Sequence, residues 1–329
     1  EMYIGDWSSD VCSSDLDRFK GMDILGAPQF DKDMLMTVMK VAAKYEQCLA
    51  EGKRLYDMDG KVMAALFFEP STRTRLSFTT AMHRLGGHVI TVADAKTSSG
   101  KKGETWHDTM KINDSYADVL VCRHPEKGSA EVAANACEHP VLNGGDGAGQ
   151  HPSQALLDIY TIFKEKGSPE GLTVALVGDL KYGRTVHSLV DFLAFFKCKV
   201  ILAAPKELAM PEDIVADMKE KGVEIEYREG MFEAVKGADV IYMTRVQGER
   251  FEDQAEYERI KGAYIMNGEV VKTLKEGAII MHPLPRIVEI TTEVDEYPGA
   301  AYFREAANGL FVRMALIALV TGNVKFETR

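Results

Sequence analysis

Phe67-Phe68-Glu69-Pro70-Ser71-Thr72-Arg73-Thr74-Arg75 joins two different periodicities. Before it, Val62 to Phe68 is an unbroken apolar run of strand length. After it, Leu76, Phe78, Ala81, Met82 and Leu85 recur at helical spacing. Hydroxyls, arginines and the first backbone N–H groups of a helix therefore gather at one strand-to-helix turn. A helix N-terminus has unpaired donors and partial positive charge, which suits an anion. Guanidinium adds a planar fork that fits phosphate oxygens. The turn reads as a phosphate pocket. The plainer alternative is a Ser/Thr cap followed by solvated arginines, and a cap needs only one hydroxyl.

The pattern extends in both directions from this turn. Asp31 to Ala50 suits a helix, with Leu35, Val38, Met39, Ala42 and Ala43 on one face. His88 to Ala93 and Ala117 to Arg123 read as strands, with a helical stretch between them at Thr105 to Ser115. A short helix over Val132 to Cys137 and a strand over Val141 to Asn143 follow. Gly144-Gly145-Asp146-Gly147-Ala148-Gly149 reads as a flexible break and places a domain boundary near Gly149. The alternation then resumes. His151 to Glu165 is helical, and strands are expected at 173–177, 199–203, 224–227, 240–242 and 278–281. This is the signature of α/β architecture, two doubly wound domains whose parallel sheets are flanked by helices.

Composition bounds the function. The 329 residues suit about two domains. A net charge of −11 disfavours a general nucleic-acid or membrane-surface binder, but not a small anion held by local arginines. No apolar run is long enough to span a bilayer. The cysteines (Cys12, Cys48, Cys122, Cys137 and Cys198) are odd in number and form no C-x-x-C pair. No disulfide framework, zinc site or other cofactor is expected, and the setting reads as reducing and cytoplasmic. Residues 1–16 are Ser- and Asp-rich with no sustained period. They read as a non-native or disordered segment, such as a cloning remnant or a translated sequencing artefact.

Ligands of open α/β sheets sit at the carboxyl ends of strands, and the remaining polar motifs lie just after strands or in loops. Ser98, Lys101 and Lys102 occupy a polar loop that could bring a cation to phosphate or be merely solvated. Arg123 ends a strand, and His151 and Gln154 follow the glycine run. A histidine and a glutamine on one turn could bind a carbonyl oxygen and an amide. Gly178 to Thr185 nearly matches G-x-x-x-x-G-K-[ST], with Arg184 in place of lysine. A nucleotide loop is one reading and a carboxylate-binding Arg184 the other. Thr244-Arg245-Val246-Gln247 offers a second carboxylate clamp, and His282-Pro283-Leu284-Pro285-Arg286 a rigid turn with free carbonyls.

Together these motifs resemble the aspartate/ornithine carbamoyltransferase family. The resemblance runs in order from about Asp17 to the C-terminus and is carried by Ser71-Thr72-Arg73-Thr74-Arg75, His151-Pro-Ser-Gln154, Gly178 to Ser188, Thr244-Arg-Val-Gln247 and His282-Pro-Leu-Pro-Arg286. The first motif is common to the aspartate and ornithine branches. Gly178 to Ser188 and Pro283 resemble the aspartate branch, since an ornithine enzyme would carry cysteine at position 283.

The resemblance implies a role for each matched residue. Ser71, Thr72, Arg73, Thr74 and Arg123 would hold the phosphate of carbamoyl phosphate. Thr74, Arg123 and His151 would bind the carbamoyl oxygen and Gln154 the nitrogen. Arg184, Arg245 and Gln247 would take the aspartate carboxylates, and the carbonyls of Pro283 and Leu284 would accept N–H groups. Ser98 and Lys102 would reach a neighbouring subunit's site, Lys102 serving both substrates, in a cyclic homotrimer. Zinc-containing regulatory chains are possible partners. The implied domains are 17–150 with 307–329 for carbamoyl phosphate and 151–306 for aspartate, the last helix returning to the first domain. Val288 and Gly248 depart from the family's usual Asp/Asn and Lys, which implies an altered local network and a more mobile aspartate loop. The alternatives are transfer to another amino acid such as ornithine, or a non-catalytic homologue acting as an assembly partner.

Overall fold

The computed structural model describes residues 11–93, 102–248 and 254–328. The chain forms two compact units, one reaching Leu156 and including Ala307–Arg329, the other spanning Leu157–Ala306.

The first unit opens with α1 (Ser13–Asp17), of which no residue is buried, and α2 (Lys32–Ala50), capped by the Asp31 carboxylate on the N–H of Met34. The strands are β1 (Val62–Phe67), β2 (His88–Val92), β3 (Val119–His124) and β4 (Val141–Asp146), and between them lie α3 (Thr72–Arg84), α4 (Trp106–Asp114) and α5 (Ser129–Ala136). The sheet is parallel throughout, in the order β2-β1-β3-β4.

Period-2 alternation explains why the central strands β1 and β3 read as continuous apolar runs. Ala64, Leu66, Leu120 and Cys122 share one buried cluster with Met110 of α4 and Ala133 of α5, while Met63, Ala65 and Phe67 point to the opposite face and are also buried. A parallel strand covered on both faces has no polar side to show. Truncating Leu66 to Ala would cost about 2–5 kcal/mol.

The glycine run 144–149 is not the flexible break expected. β4 continues through Gly144 and Gly145 to Asp146, and all six of its residues are buried. Asp146 explains the order: its carboxylate accepts the N–H groups of Gly128 (3.0 Å) and Gln150 (2.6 Å) and the amide of Asn143 (3.2 Å). The division between the units falls six residues beyond the expected boundary, inside α6 (Pro152–Lys166).

The second unit carries β5 (Thr173–Val177), β6 (Lys199–Ala203), β7 (Glu224–Tyr227), β8 (Val240–Met243) and β9 (Ile279–Met281). They too are all parallel, in the order β7-β6-β5-β8-β9. Its helices are α7 (Arg184–Leu193), α8 (Glu212–Glu220), α9 (Met231–Val235), α10 (Gln254–Ile260) and α11 (Gly268–Val271).

The last helix, α12 (Tyr302–Val320), begins in the second unit and ends in the first. The chain beyond it is tied down by Asp57, whose carboxylate accepts the N–H groups of Lys325, Phe326 and Glu327 at 2.8–3.1 Å and the hydroxyl of Tyr45 at 2.6 Å. No helix among the described residues is long and apolar enough to cross a membrane.

Candidate active site

Each sheet has one place where its strand order reverses. In the first unit β1 lies between β2 and β3, so the connections leaving β1 and β3 diverge and leave a crevice at the strand carboxyl ends. Register brings the two exits together. Phe67 pairs with Arg123, and the Phe68 N–H donates to the Arg123 carbonyl at 2.8 Å. Ser71 to Thr74 leave β1 here and open α3, and Arg123 arrives from β3.

The plain capping alternative for Ser71 is not what forms. Ser71 is the N-cap residue of α3, yet its hydroxyl makes no capping hydrogen bond. Among the described residues Arg73 has no ion pair and no side-chain hydrogen bond, and partial burial pulls its pKa below the ordinary value. Thr74 is buried. Arg123 is held more firmly: its Nε lies 3.0 Å from Glu69 Oε2, and Nη1 donates to the Gly144 carbonyl at 3.1 Å. The helix N-terminus, one uncompensated guanidinium and one positioned guanidinium together suit a multiply charged anion.

His151 and Gln154 also belong to this unit, both buried on the first turn of α6, where the Gln154 N–H donates to the His151 carbonyl at 3.0 Å. Lys102 is exposed. Ser98 and Lys101 lie outside the described residues.

In the second unit the reversal falls between β5 and β8. The strand ends approach closely: a Cβ on Gly178, which sits at φ 113°, would come within 2.5 Å of the Thr244 carbonyl oxygen. Glycine is required there both for space and for its backbone conformation. Thr244 Oγ1 donates between the carbonyls of Val177 and Asp179, 3.1 Å from each. Asp179 is fully buried and accepts from the N–H groups of Tyr182 (2.9 Å) and Gln247 (3.3 Å), which ties the β5 loop to the β8 loop. Gln247 adds a side-chain bond to the Tyr182 carbonyl at 2.9 Å, leaving its second amide N–H for another acceptor. Arg184 opens α7, Arg245 follows β8, and both are half-buried. Pro283 and Leu284 follow β9 and are half-buried as well.

The sequence-derived site residues thus fall into two sets. Ser71, Thr72, Arg73, Thr74, Lys102, Arg123, His151 and Gln154 lie in the first unit, and Arg184, Arg245, Gln247, Pro283 and Leu284 in the second. Sequence reading gave no role to Glu69 or Asp179, although both lie inside the motifs it quoted. The available signal was an acid within a few residues of arginines in a loop that directly follows a strand. No group of three or more His, Cys, Asp or Glu side chains arranged to hold a metal ion occurs among the described residues.

Comparison with known proteins also finds two domains. Residues 22–164 match the family model described as "Aspartate/ornithine carbamoyltransferase, carbamoyl-P binding domain", and residues 170–320 match "Aspartate/ornithine carbamoyltransferase, Asp/Orn binding domain". The chain is 49% identical over 305 residues to the aspartate carbamoyltransferase catalytic subunit of Thermococcus onnurineus, covering 93% of this chain and 98% of that one. It is similar to the structure of Trypanosoma cruzi aspartate transcarbamoylase in complex with carbamoyl phosphate and aspartate, with a TM-score of 0.89, 42% identity and coverage of 93% and 98%. The catalytic subunit of M. jannaschii aspartate transcarbamoylase gives a TM-score of 0.84 at 45% identity, with coverage of 90% and 96%. With both domain models matched in order and nearly half of its residues shared with a relative over almost its whole length, this chain belongs to the aspartate/ornithine carbamoyltransferase family.

Proposed function

We propose that the chain is an aspartate carbamoyltransferase, which moves the carbamoyl group of carbamoyl phosphate to the amine of L-aspartate and releases phosphate and N-carbamoyl-L-aspartate. This is an early step of pyrimidine biosynthesis. The observation that carries the reading is the β1/β3 crevice, where an uncapped helix N-terminus meets Arg73 and Arg123. The names of the most similar relatives support aspartate as the acceptor.

The neutral aspartate amine attacks the carbamoyl carbon. An N–C bond forms, negative charge gathers on the carbamoyl oxygen, the C–O bond to phosphate breaks, and the departing phosphate takes the amine proton. No side-chain nucleophile is needed. Catalysis rests on positioning and on fixed positive charge that faces the developing oxyanion. Ser71, Thr72, Arg73, Thr74 and Arg123 hold phosphate. Thr74, Arg123 and His151 polarise the carbamoyl oxygen, and Gln154 takes the nitrogen. Arg184, Arg245 and Gln247 hold the aspartate carboxylates, while the carbonyls of Pro283 and Leu284 accept N–H groups.

In the same reading the enzyme is a cytoplasmic homotrimer in which Ser98 and Lys102 complete a neighbour's site. Zinc-containing regulatory chains are further partners to be sought by co-purification. Product formation from carbamoyl phosphate, with aspartate and ornithine supplied side by side, tests the activity. Turnover with ornithine alone would overturn the substrate assignment, and a monomeric mass by light scattering would overturn the trimer.

A further inference from the structure

The turn after β9 is built around a buried polar chain to which the reaction above gives no part. His282 and Glu289 are 1% and 3% exposed. The His282 Nε2 lies 2.8 Å from Glu289 Oε1, and the Leu284 N–H donates to His282 Nδ1 at 2.7 Å. A ring nitrogen that accepts carries no proton, so the proton sits on Nε2 and is donated to Glu289. The second carboxylate oxygen of Glu289 accepts the N–H groups of Ile287 (3.1 Å) and Val288 (3.0 Å). At the start of the turn the His282 N–H donates to Glu305 Oε2 at 2.8 Å.

Between these anchors Leu284 adopts φ 55°. Such a backbone is unfavourable for a non-glycine residue and persists where its surroundings over-determine it. Burial pushes the Glu289 carboxyl up, but the bonds from His282 and the backbone outweigh it, so its pKa lies below the ordinary value. Val288, the family departure, is exposed and takes part in this network only through its N–H. The polar work of the turn is done from the next position.

We propose that Glu289 is a positioning residue for carbamoyl transfer: by fixing the tautomer and orientation of His282 it holds the turn that presents the carbonyls of Pro283 and Leu284 to the reacting N–H groups. The proposal rests on the reaction proposed above and adds a residue to it. Glu289 touches no substrate and acts through His282 and the backbone.

Glu289→Gln is the sharp test because it keeps shape and changes only polarity. Whichever way the amide turns, its NH2 group meets a donor, either His282 Nε2–H or the N–H groups of residues 287 and 288. In the wild-type protein, 15N signals of His282 at neutral pH should report the Nε2–H tautomer. In Glu289→Gln that signature should be lost and kcat should fall by about tenfold or more, as expected when reacting groups are misplaced. Binding of inorganic phosphate should stay within about twofold, because its ligands lie in the other unit.

An Nδ1–H tautomer in the wild-type protein would overturn the proposal, and this measurement stands even where the variant fails to fold. So would a variant with a lower melting temperature but unchanged kcat per folded molecule, the mark of a purely structural carboxylate. A wild-type chain that forms no carbamoyl aspartate would bring down the reaction itself, and that is visible before any variant is made.

Discussion

The crevices at β1/β3 and β5/β8 use the same topological device in opposite ways. At β1/β3 two donors are left uncommitted: the Ser71 hydroxyl does not cap its helix, and Arg73 has no ion pair or side-chain hydrogen bond among the described residues, while Arg123 alone is held, by Glu69 and the Gly144 carbonyl. At β5/β8 a buried carboxylate, Asp179, consumes the donors of its own loops, binding the N–H groups of Tyr182 and Gln247. The first site is therefore backbone-built and cationic before any ligand arrives, as a small dense anion such as phosphate requires. The second is a scaffolded loop pair that carries Arg184 and Arg245, both half-buried. That arrangement suits an amino acid whose carboxylates must be held apart at set positions, as guanidinium forks can do.

Arg73→Ala should give the largest effect and strikes the first crevice alone. Loss of one preorganised donor to charge that develops in the transition state, here on the departing phosphate, typically costs about 2.7–4 kcal/mol, or roughly 10²–10³ in kcat. Carbamoyl aspartate assays paired with circular-dichroism melts should find the activity gone and the fold intact. Full turnover by this variant would break the contrast outright.

Asp179→Ala strikes the second crevice. Two backbone donors lose their acceptor, so the loops carrying Arg184 and Arg245 should loosen. The aspartate KM should rise by about tenfold, while phosphate binding measured by calorimetry stays near wild type. A matching loss of phosphate affinity would mean that the crevices are not built independently.

Asp179 also gives the contrast a pH signature. Burial raises its carboxyl above the ordinary 3.8, outweighing the backbone bonds that lower it. The folded state thus binds this proton more tightly than the unfolded chain. Stability from this group is present at low pH and is lost as pH climbs from the unfolded value of 3.8 through the raised folded value. Asp179→Asn should remove that loss, so melting curves for the two proteins should draw apart with rising pH. Parallel curves across the range would take Asp179 out of the account.

The smallest effect is expected at Gly248. A Cβ there would come within 2.8 Å of the Tyr257 ring, so the glycine is packed under an aromatic side chain. Gly248→Lys should displace Tyr257 and change the aspartate KM by about two- to fivefold. An unchanged aspartate dependence would sharpen the comparison by placing this position outside the second site.

The strands and the helix starts could be read because their causes are local. Val62 to Phe67 and Thr173 to Val177 are apolar throughout, and the helices repeat their apolar residues at helical spacing. The glycine run misled because glycines mark turns on average. Its order comes from Asp146 binding Gly128, a residue eighteen positions earlier. Arg73 stood out as a cation at a helix start. Glu289 did not, because its value lies in His282 and two backbone N–H groups folded around it.

Sequence alone determined which segments are strands, which are helices, and that the arginines and hydroxyls follow strand ends, since these depend on neighbours a few residues away. Only tertiary structure decided that β1 ends beside β3 and β5 beside β8, and which acid each exposed or buried donor meets. Those pairings are hydrogen bonds between residues dozens of positions apart, such as Phe68 with Arg123 and Asp179 with Gln247. Their register is set by burying both faces of the central strands of each sheet at once, a condition no short stretch of chain contains.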